Sequence, residues 1–301
     1  MKDKLIVIGG ATASGKTGIS IELAKKINGE IVSADSMQVY KYMDIGTAMV
    51  TKKEMEGIEH YLINMVEPHE EFSVAQYKDL AFEAINKIKE KKKIPILVGG
   101  TGFYINSVLY NTNFKEEKND FSYRKELEGL VKEKGNIFLH NMLKNIDNTS
   151  YENIHYNNVK RVIRALEYYH LTGEPISIHN AREKMKDSYF NYKFYSIEMD
   201  RELLYNRINM RVDMMMEDGL LKEVKYLYKN FPKNIISMEG IGYKELAKYI
   251  EGEITLDEAI NLIKQESRRL AKRQVTWFKH QTDAKWIKNI EEINMDLKDW
   301  I

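Results

Sequence analysis

Gly10, Ala11, Thr12, Ala13, Ser14, Gly15, Lys16 and Thr17 fit the spacing GxxxxGK[ST]. That spacing belongs to a phosphate-binding loop, in which backbone N–H groups converge on phosphate oxygens. The N-terminus of a following helix adds a favourable dipole, and the lysine adds a point charge. The Thr17 hydroxyl suits Mg2+, a hard cation that prefers oxygen ligands. The alternative is a glycine turn that binds nothing. The flanks favour the loop: residues 5–8 read as a buried strand, and residues 17–27 carry Ile19, Leu23 and Ile27 at helical spacing. Such a loop specifies a polyphosphate, held either as ATP by a kinase or as the diphosphate leaving group of another substrate. A GTPase would need Asn-Lys-x-Asp, whereas Asn86-Lys87-Ile88-Lys89 lacks the aspartate and falls mid-helix.

A second group of chemically able residues, Asp35, Ser36, Met37 and Gln38, directly follows the run at 30–34, which reads as a second strand. If that run is a strand of a doubly wound sheet, these residues lie at the carboxyl edge that lines the ligand crevice. Asp35 is suited to act as a general base or to support a magnesium ion, and Gln38 to pair with the N6 and N7 edge of adenine. An Asp-Ser turn cap is the plainer reading. Thr101, in Gly99-Gly100-Thr101-Gly102, closes the next apolar run at the same edge, as a crevice hydrogen-bond donor, a helix cap or both. Gly46-Thr47-Ala48 is a further small-residue turn that could approach a ligand.

The elements that must position these residues alternate. Strands are expected at 5–8, 30–34 and 94–98, with a weaker one at 61–66. Helices fall between them: one stops at Gly29, and another opens with a Ser73/Gln76 capping box and turns Leu80, Ala84, Ile85 and Ile88 to one face. The pattern predicts an α/β fold, a P-loop NTPase-like parallel sheet core. Near Asn111 it changes, and 114–190 reads as a helical insertion, with helices at 123–134 before Gly135 and 159–172 before Gly173. The core is then 1–113 and 191–301. A strand at 192–199, a helix capped by Asp200 that runs to Asp218, and a long helix at 256–279 complete it.

The composition of the 301 residues, 43% hydrophobic and 30% charged with net charge +1, fits a globular protein whose nucleic-acid surface must be a local patch. With no cysteines there are no disulfides or thiolate metal sites, which suits a cytoplasmic protein. No signal peptide or membrane span is expected. The seven histidines show no metal-ligand spacing, Met210, Met214, Met215 and Met216 read as core filler, and Lys91, Lys92 and Lys93 read as a solvated helix end.

The chain resembles the bacterial tRNA dimethylallyltransferases (tRNA isopentenyltransferases). The blocks are GGATASGKT at 9–17, SADSMQVYKYMDIGTA at 33–48, GGTGFY at 99–104, RINMRVDMMMEDGLLKEV at 207–224, GIGYKEL at 240–246 and RRLAKRQVTWF at 268–278. They occur in family order; residues 114–156 depart most and carry over no site. The resemblance implies prenyl transfer from dimethylallyl diphosphate, with Mg2+, to the adenine amine just 3′ of the tRNA anticodon. It implies Asp35 as general base, Thr101 as the residue that positions the amine, and Arg211 aimed at the diphosphate, where an ion pair with Glu217 or Asp218 would otherwise be expected. It also implies tRNA contacts. Arg269, Arg273 and Trp277, spaced i, i+4, i+8, lie beside Arg268 and Lys272; Lys160, Arg161 and Arg164 lie in an insertion that grips the anticodon stem-loop; Gly242, Tyr243 and Lys244 form a smaller patch. A monomer is the family's expectation. A kinase, a free-nucleotide isopentenyltransferase and an RNA-binding protein with a decayed loop are the competing readings. The insertion and the basic helix favour an RNA substrate, and Gly15-Lys16-Thr17 with Asp35 favours an enzyme.

Overall fold

The computed structural model describes residues 2–112, 114 and 121–301, so residues 115–120 of the expected insertion lie outside the described residues. Six parallel strands form one sheet: β1 (Lys4–Gly9), β2 (Gly29–Ser33), β3 (His60–Tyr61), β4 (Ile94–Gly99), β5 (Asn191–Ile197) and β6 (Lys285–Ile287), in the order β3-β2-β4-β1-β5-β6. β1 is central, with Gly9 beside Gly99 of β4 and Ser196 of β5, so the loop leaving β1 opens where the chain crosses from one half of the sheet to the other.

Strand alternation builds two cores. Leu5 and Val7 pack with Tyr77, Ile85 and Ile88 of the Val74–Glu90 helix and with Phe278. Ile6 and Ile8 pack on the other face with Ile21, Leu23 and Ala24 of the Lys16–Ile27 helix and with Ile290, Ile293 and Leu297. A third core joins Val39, Tyr40 and Met43 to Val212, Leu220, Val224, Leu227, Tyr243 and Leu246. It anchors the chain after β2 to the C-terminal helices.

Several local expectations change. The first helix is stopped by Asn28 in left-handed conformation (φ 53°), not by Gly29, which starts β2 where a β-carbon would press on Ile94 O at 2.9 Å. The strand expected at 61–66 shrinks to His60–Tyr61, and only Val66 bridges back, to Tyr40. The capping box at Ser73 forms, but Tyr77 and Ala81 take the buried positions while Leu80 stays partly exposed. Lys91 and Lys93 are not merely solvated. Both pair with Glu30, which is 3% exposed, at 3.0 and 2.7 Å. Burial alone would raise the Glu30 carboxyl, yet hydrogen bonds from Lys93, Tyr61 and Lys91 outweigh it and hold the group low.

The chain divides into one unit of Met1–Asn111 with Ser188–Ile301 and a second of Thr112–Asp187. The second unit has its own core of Leu127, Leu139, Leu143, Val162 and Leu166. Its Phe121–Asn141 helix is broken at Gly135 (φ 83°, ψ 169°), and its Val159–Thr172 helix is capped by Gly173 in left-handed conformation.

Candidate active site

The phosphate loop takes its shape from three residues of positive φ: Gly10 (147°), Ala13 (61°) and Gly15 (93°). Gly15 caps the Lys16–Ile27 helix. Lys16 Nζ donates to Gly10 O at 2.9 Å and Ala11 O at 2.6 Å, folding its charge into the loop. Removal from water pushes its pKa down to about 8; Asp35 opposes the shift and Arg211 adds to it. Ser14 Oγ is buried without a hydrogen-bond partner among the described residues, as a donor reserved for an anion would be.

Arg211 reaches the loop from the Arg201–Asp218 helix, which Asp200 caps through the Glu202 and Leu203 amides. Its Nη1 donates to Thr12 Oγ1 at 3.3 Å. Burial lowers its pKa against the pull of Asp35 and Glu54, and among the described residues it forms no ion pair with Glu217 or Asp218. Arg207, one turn earlier and not foreseen, lies 3.8 Å from where a β-carbon on Gly15 would stand. Met215 and Met216 pack on the third core, but Met210 and Met214 are 62% and 58% exposed, contrary to a filler role, because they share the outer helix face with Arg207.

After β2, Asp35 Oδ1 accepts from the Met37 amide at 2.9 Å and the Gln38 amide at 3.4 Å, so the turn-capping role is real. Among the described residues no hydrogen bond falls on Oδ2. Thr101 occupies a helix cap position without a side-chain cap bond. Its hydroxyl instead accepts from Ser36 N at 3.0 Å and donates to Ser36 Oγ at 3.3 Å, tying the two strand ends together. Behind them, Tyr77 stacks on Tyr104 with centroids 3.8 Å apart and donates to Ser33 O.

Gln38 is less free than expected. Its Nε2 donates to Thr47 O and Ala48 O at 3.2 and 3.3 Å, and Oε1 accepts from Ser33 Oγ at 3.3 Å. The Met37 side chain packs on Gly240, so it is a packing residue first. Glu223, also unforeseen, holds the turn that receives Gln38: it accepts from the Asp44, Ile45 and Gly46 amides at 2.8–3.0 Å and from Tyr243 OH at 2.7 Å. Tyr243, expected at an RNA surface, is therefore 1% exposed and sits against Gly46, and Gly242 is buried beside it. Lys244 stays partly exposed.

The Leu256–Gln281 helix presents Arg269, Lys272 and Arg273 to solvent, whereas Arg268 donates to Asn209 Oδ1 at 2.5 Å. Trp277 is turned inward: its ring fills the space a side chain at Gly102 would need, and it packs on the core with Phe278. Gln274, one turn before Phe278, spans two turns of the site. Its Oε1 accepts Thr12 N–H at 2.8 Å, and its Nε2 donates to Gly100 O at 3.1 Å. Gln274 and Glu223 fall inside the motif blocks, but each reads in sequence as one more polar helix residue. In the separate helical unit, Lys160, Arg161 and Arg164 are exposed, opposite the buried Val162, Ile163 and Leu166.

Chemically, the loop amides, Lys16 and Arg211 together could serve an anion, and the Asp35 carboxylate lies within electrostatic reach of both cations. That pairs leaving-group stabilisation with a base. Thr17 is exposed at the end of the loop, where its hydroxyl could give an oxygen ligand to a divalent metal ion. Among the described residues, no group of three His, Cys, Asp or Glu side chains could hold a metal ion, and no helix is long and apolar enough to cross a membrane.

A family model described as IPP transferase matches residues 38–281. The chain is 53% identical over 297 residues to a tRNA dimethylallyltransferase of Acetivibrio thermocellus, covering 98% of this chain and 95% of that one. It is 52% identical over 284 residues to one of Lachnoclostridium phytofermentans, covering 94% and 91%. Among solved structures, the full-length tRNA isopentenylpyrophosphate transferase of Bacillus halodurans superposes with TM-score 0.73 at 44% identity, covering 99% and 95%. A eukaryotic dimethylallyltransferase acting on tRNA superposes with TM-score 0.82 at 30% identity, covering 99% of this chain and 77% of that one.

Proposed function

This chain belongs to the IPP transferase family, and from that membership we propose that it moves a dimethylallyl group from dimethylallyl diphosphate to N6 of the adenine immediately 3′ of a tRNA anticodon. The observation that carries the reading is that two cations close on one loop, Arg211 Nη1 at 3.3 Å from Thr12 Oγ1 and Lys16 Nζ at 2.6 Å from Ala11 O, with the Asp35 carboxylate at the neighbouring strand end acting electrostatically on both. The C1–O bond to diphosphate breaks and its electron pair leaves with the diphosphate. The amine lone pair forms the N6–C1 bond, and the proton shed by nitrogen passes to Asp35. The loop amides, Lys16 and Arg211 stabilise the departing charge. Thr17 would hold Mg2+, which when bound neutralises diphosphate oxygens.

Thr101, held by Ser36, positions the amine beside Asp35. The adenine must leave its stack to reach the crevice, and Gln38 reads it by exchanging its bonds to the 47–48 carbonyls and Ser33 for the N6 and N7 edge. Exposed Arg269, Lys272 and Arg273, with Lys160, Arg161 and Arg164 of the helical unit, supply phosphate contacts that orient the RNA. The test is incubation with Mg2+, dimethylallyl diphosphate and unmodified tRNA, then digestion and mass spectrometry. Isopentenyladenosine is the expected product. Its absence with folded protein, together with consumption of ATP in the same mixture, would transfer the reading to a kinase.

A further inference from the structure

The two halves of the reaction sit on two different turns. The leaving group belongs to the turn after β1, where Arg211 meets Thr12 and Lys16 meets Ala11 O. The acceptor amine belongs to the turn after β4, where Thr101 holds Ser36 next to Asp35. One side chain touches both. Gln274 accepts the Thr12 amide with its oxygen and donates to the Gly100 carbonyl with its nitrogen. The partners force that orientation: a backbone N–H only donates and a carbonyl only accepts. A β-carbon at Gly100 would overlap the Gln274 amide, so the glycine admits the side chain. Docking of the helix does not need Gln274, because Trp277 and Phe278 provide the apolar contact one turn on. Glutamate would set oxygen against the Gly100 carbonyl, asparagine falls a methylene short, and methionine offers neither bond.

We propose that Gln274 is a positioning residue for prenyl transfer, the strut that fixes the spacing between the departing diphosphate oxygen and the attacking adenine nitrogen. The proposal rests on the reading of the site as a prenyltransferase. Displacement at carbon needs both groups at contact distance and in line, and small misplacements cost rate more than binding. Both ends of the Gln274 amide are bonded to backbone, so its loss acts through the spacing of the two turns and falls on kcat.

The experiment compares wild type, Gln274→Met and Gln274→Glu as full-length proteins, with dimethylallyl diphosphate, Mg2+ and tRNA, across pH. Product formation by the wild type controls for the prenyltransferase reading itself. For both variants we expect kcat lower by about 10- to 100-fold, with each KM within about threefold of wild type. For Gln274→Glu alone, the ratio of its kcat to wild type rises as pH falls from about 7.5 to about 5.5, because a protonated carboxyl can again donate to the Gly100 carbonyl. The Met variant shows no such recovery. An undiminished kcat in the Met variant overturns the proposal, as does a loss confined to the KM of one substrate. A lowered melting temperature with full kcat in the folded fraction reduces Gln274 to a structural contact and overturns it equally.

Discussion

At Asp35 the two carboxylate oxygens have different duties. Oδ1 is committed to the Met37 and Gln38 amides, which hold the group still, and Oδ2, which accepts no hydrogen bond among the described residues, is the oxygen that the proposed reaction would use for the proton. Asp35→Asn keeps the amide acceptor and removes the base. We expect kcat to fall by about 10²- to 10⁴-fold while tRNA affinity and melting temperature hold; unchanged turnover would remove Asp35 from the chemistry. Lys16 makes a pH prediction. With its pKa lowered to about 8, the ammonium proposed to meet diphosphate is lost as pH rises through that value. Diphosphate affinity of the free enzyme, read by calorimetry, should weaken above pH 8 toward about tenfold per unit. Stability of the ligand-free protein moves the other way. The unfolded lysine binds a proton up to its ordinary 10.5, so between about 8 and 10.5 the unfolded state holds more protons, and stability gains as pH rises across that window. At this scale the sequence was informative about chemistry and poor about contacts. The types and spacing of residues 10–17, Asp35 and Thr101 pointed to the candidate site, but nothing in Gln274 or Glu223 announces that its backbone partners lie 174 to 262 or 177 to 179 residues away.

Among the elements, the turn at 44–46 depends on a helix far along the chain. Glu223 collects three consecutive amides there, and Tyr243 adds its hydroxyl. Hydrogen bonds to a charged group are worth about 1.5–3 kcal/mol each, so Glu223→Gln should lower unfolding stability by on the order of 2–3 kcal/mol, measured by chemical denaturation. Tyr243→Phe removes one bond and should cost about 1 kcal/mol while leaving tRNA affinity intact; a large drop in affinity at unchanged stability would return Tyr243 to the RNA surface. The misplacement of Tyr243 has a physical cause. A glycine-flanked tyrosine beside a lysine reads as an exposed patch until Gly46 is seen to leave a ring-sized space for it. Helix ends at Asp200, Ser73 and Gly173 were legible because caps are local; the strand expected at 61–66 was not, because strand length depends on its neighbours.

For the whole molecule, a net charge of +1 makes RNA affinity a matter of a few residues. Replacing Arg269 and Arg273 by alanine should reduce the slope of log affinity against log salt by roughly 0.7–0.9 for each RNA phosphate that these arginines neutralise, leaving diphosphate binding as it was; an unchanged slope would take the Leu256–Gln281 helix out of the RNA interface. The division into two units bears on assembly too. β1 pairs with β5 from Lys4↔Asn191 to Gly9↔Ser196, so the central strand waits for a neighbour nearly two hundred residues later. Thr112–Asp187 is contiguous, has its own core and is synthesised in between. Local contacts form before distant ones, so on the ribosome the helical unit can fold while β1 still lacks its β5 edge. Pulse-labelled hydrogen exchange of nascent chains should then find amides around Leu127 and Val162 protected before those of Ile6 and Val7. β1, made before the other five strands of the sheet, would gain its β5 edge only after the helical unit had been made, and the loop that follows it would acquire its final form only once Gln274 had left the ribosome.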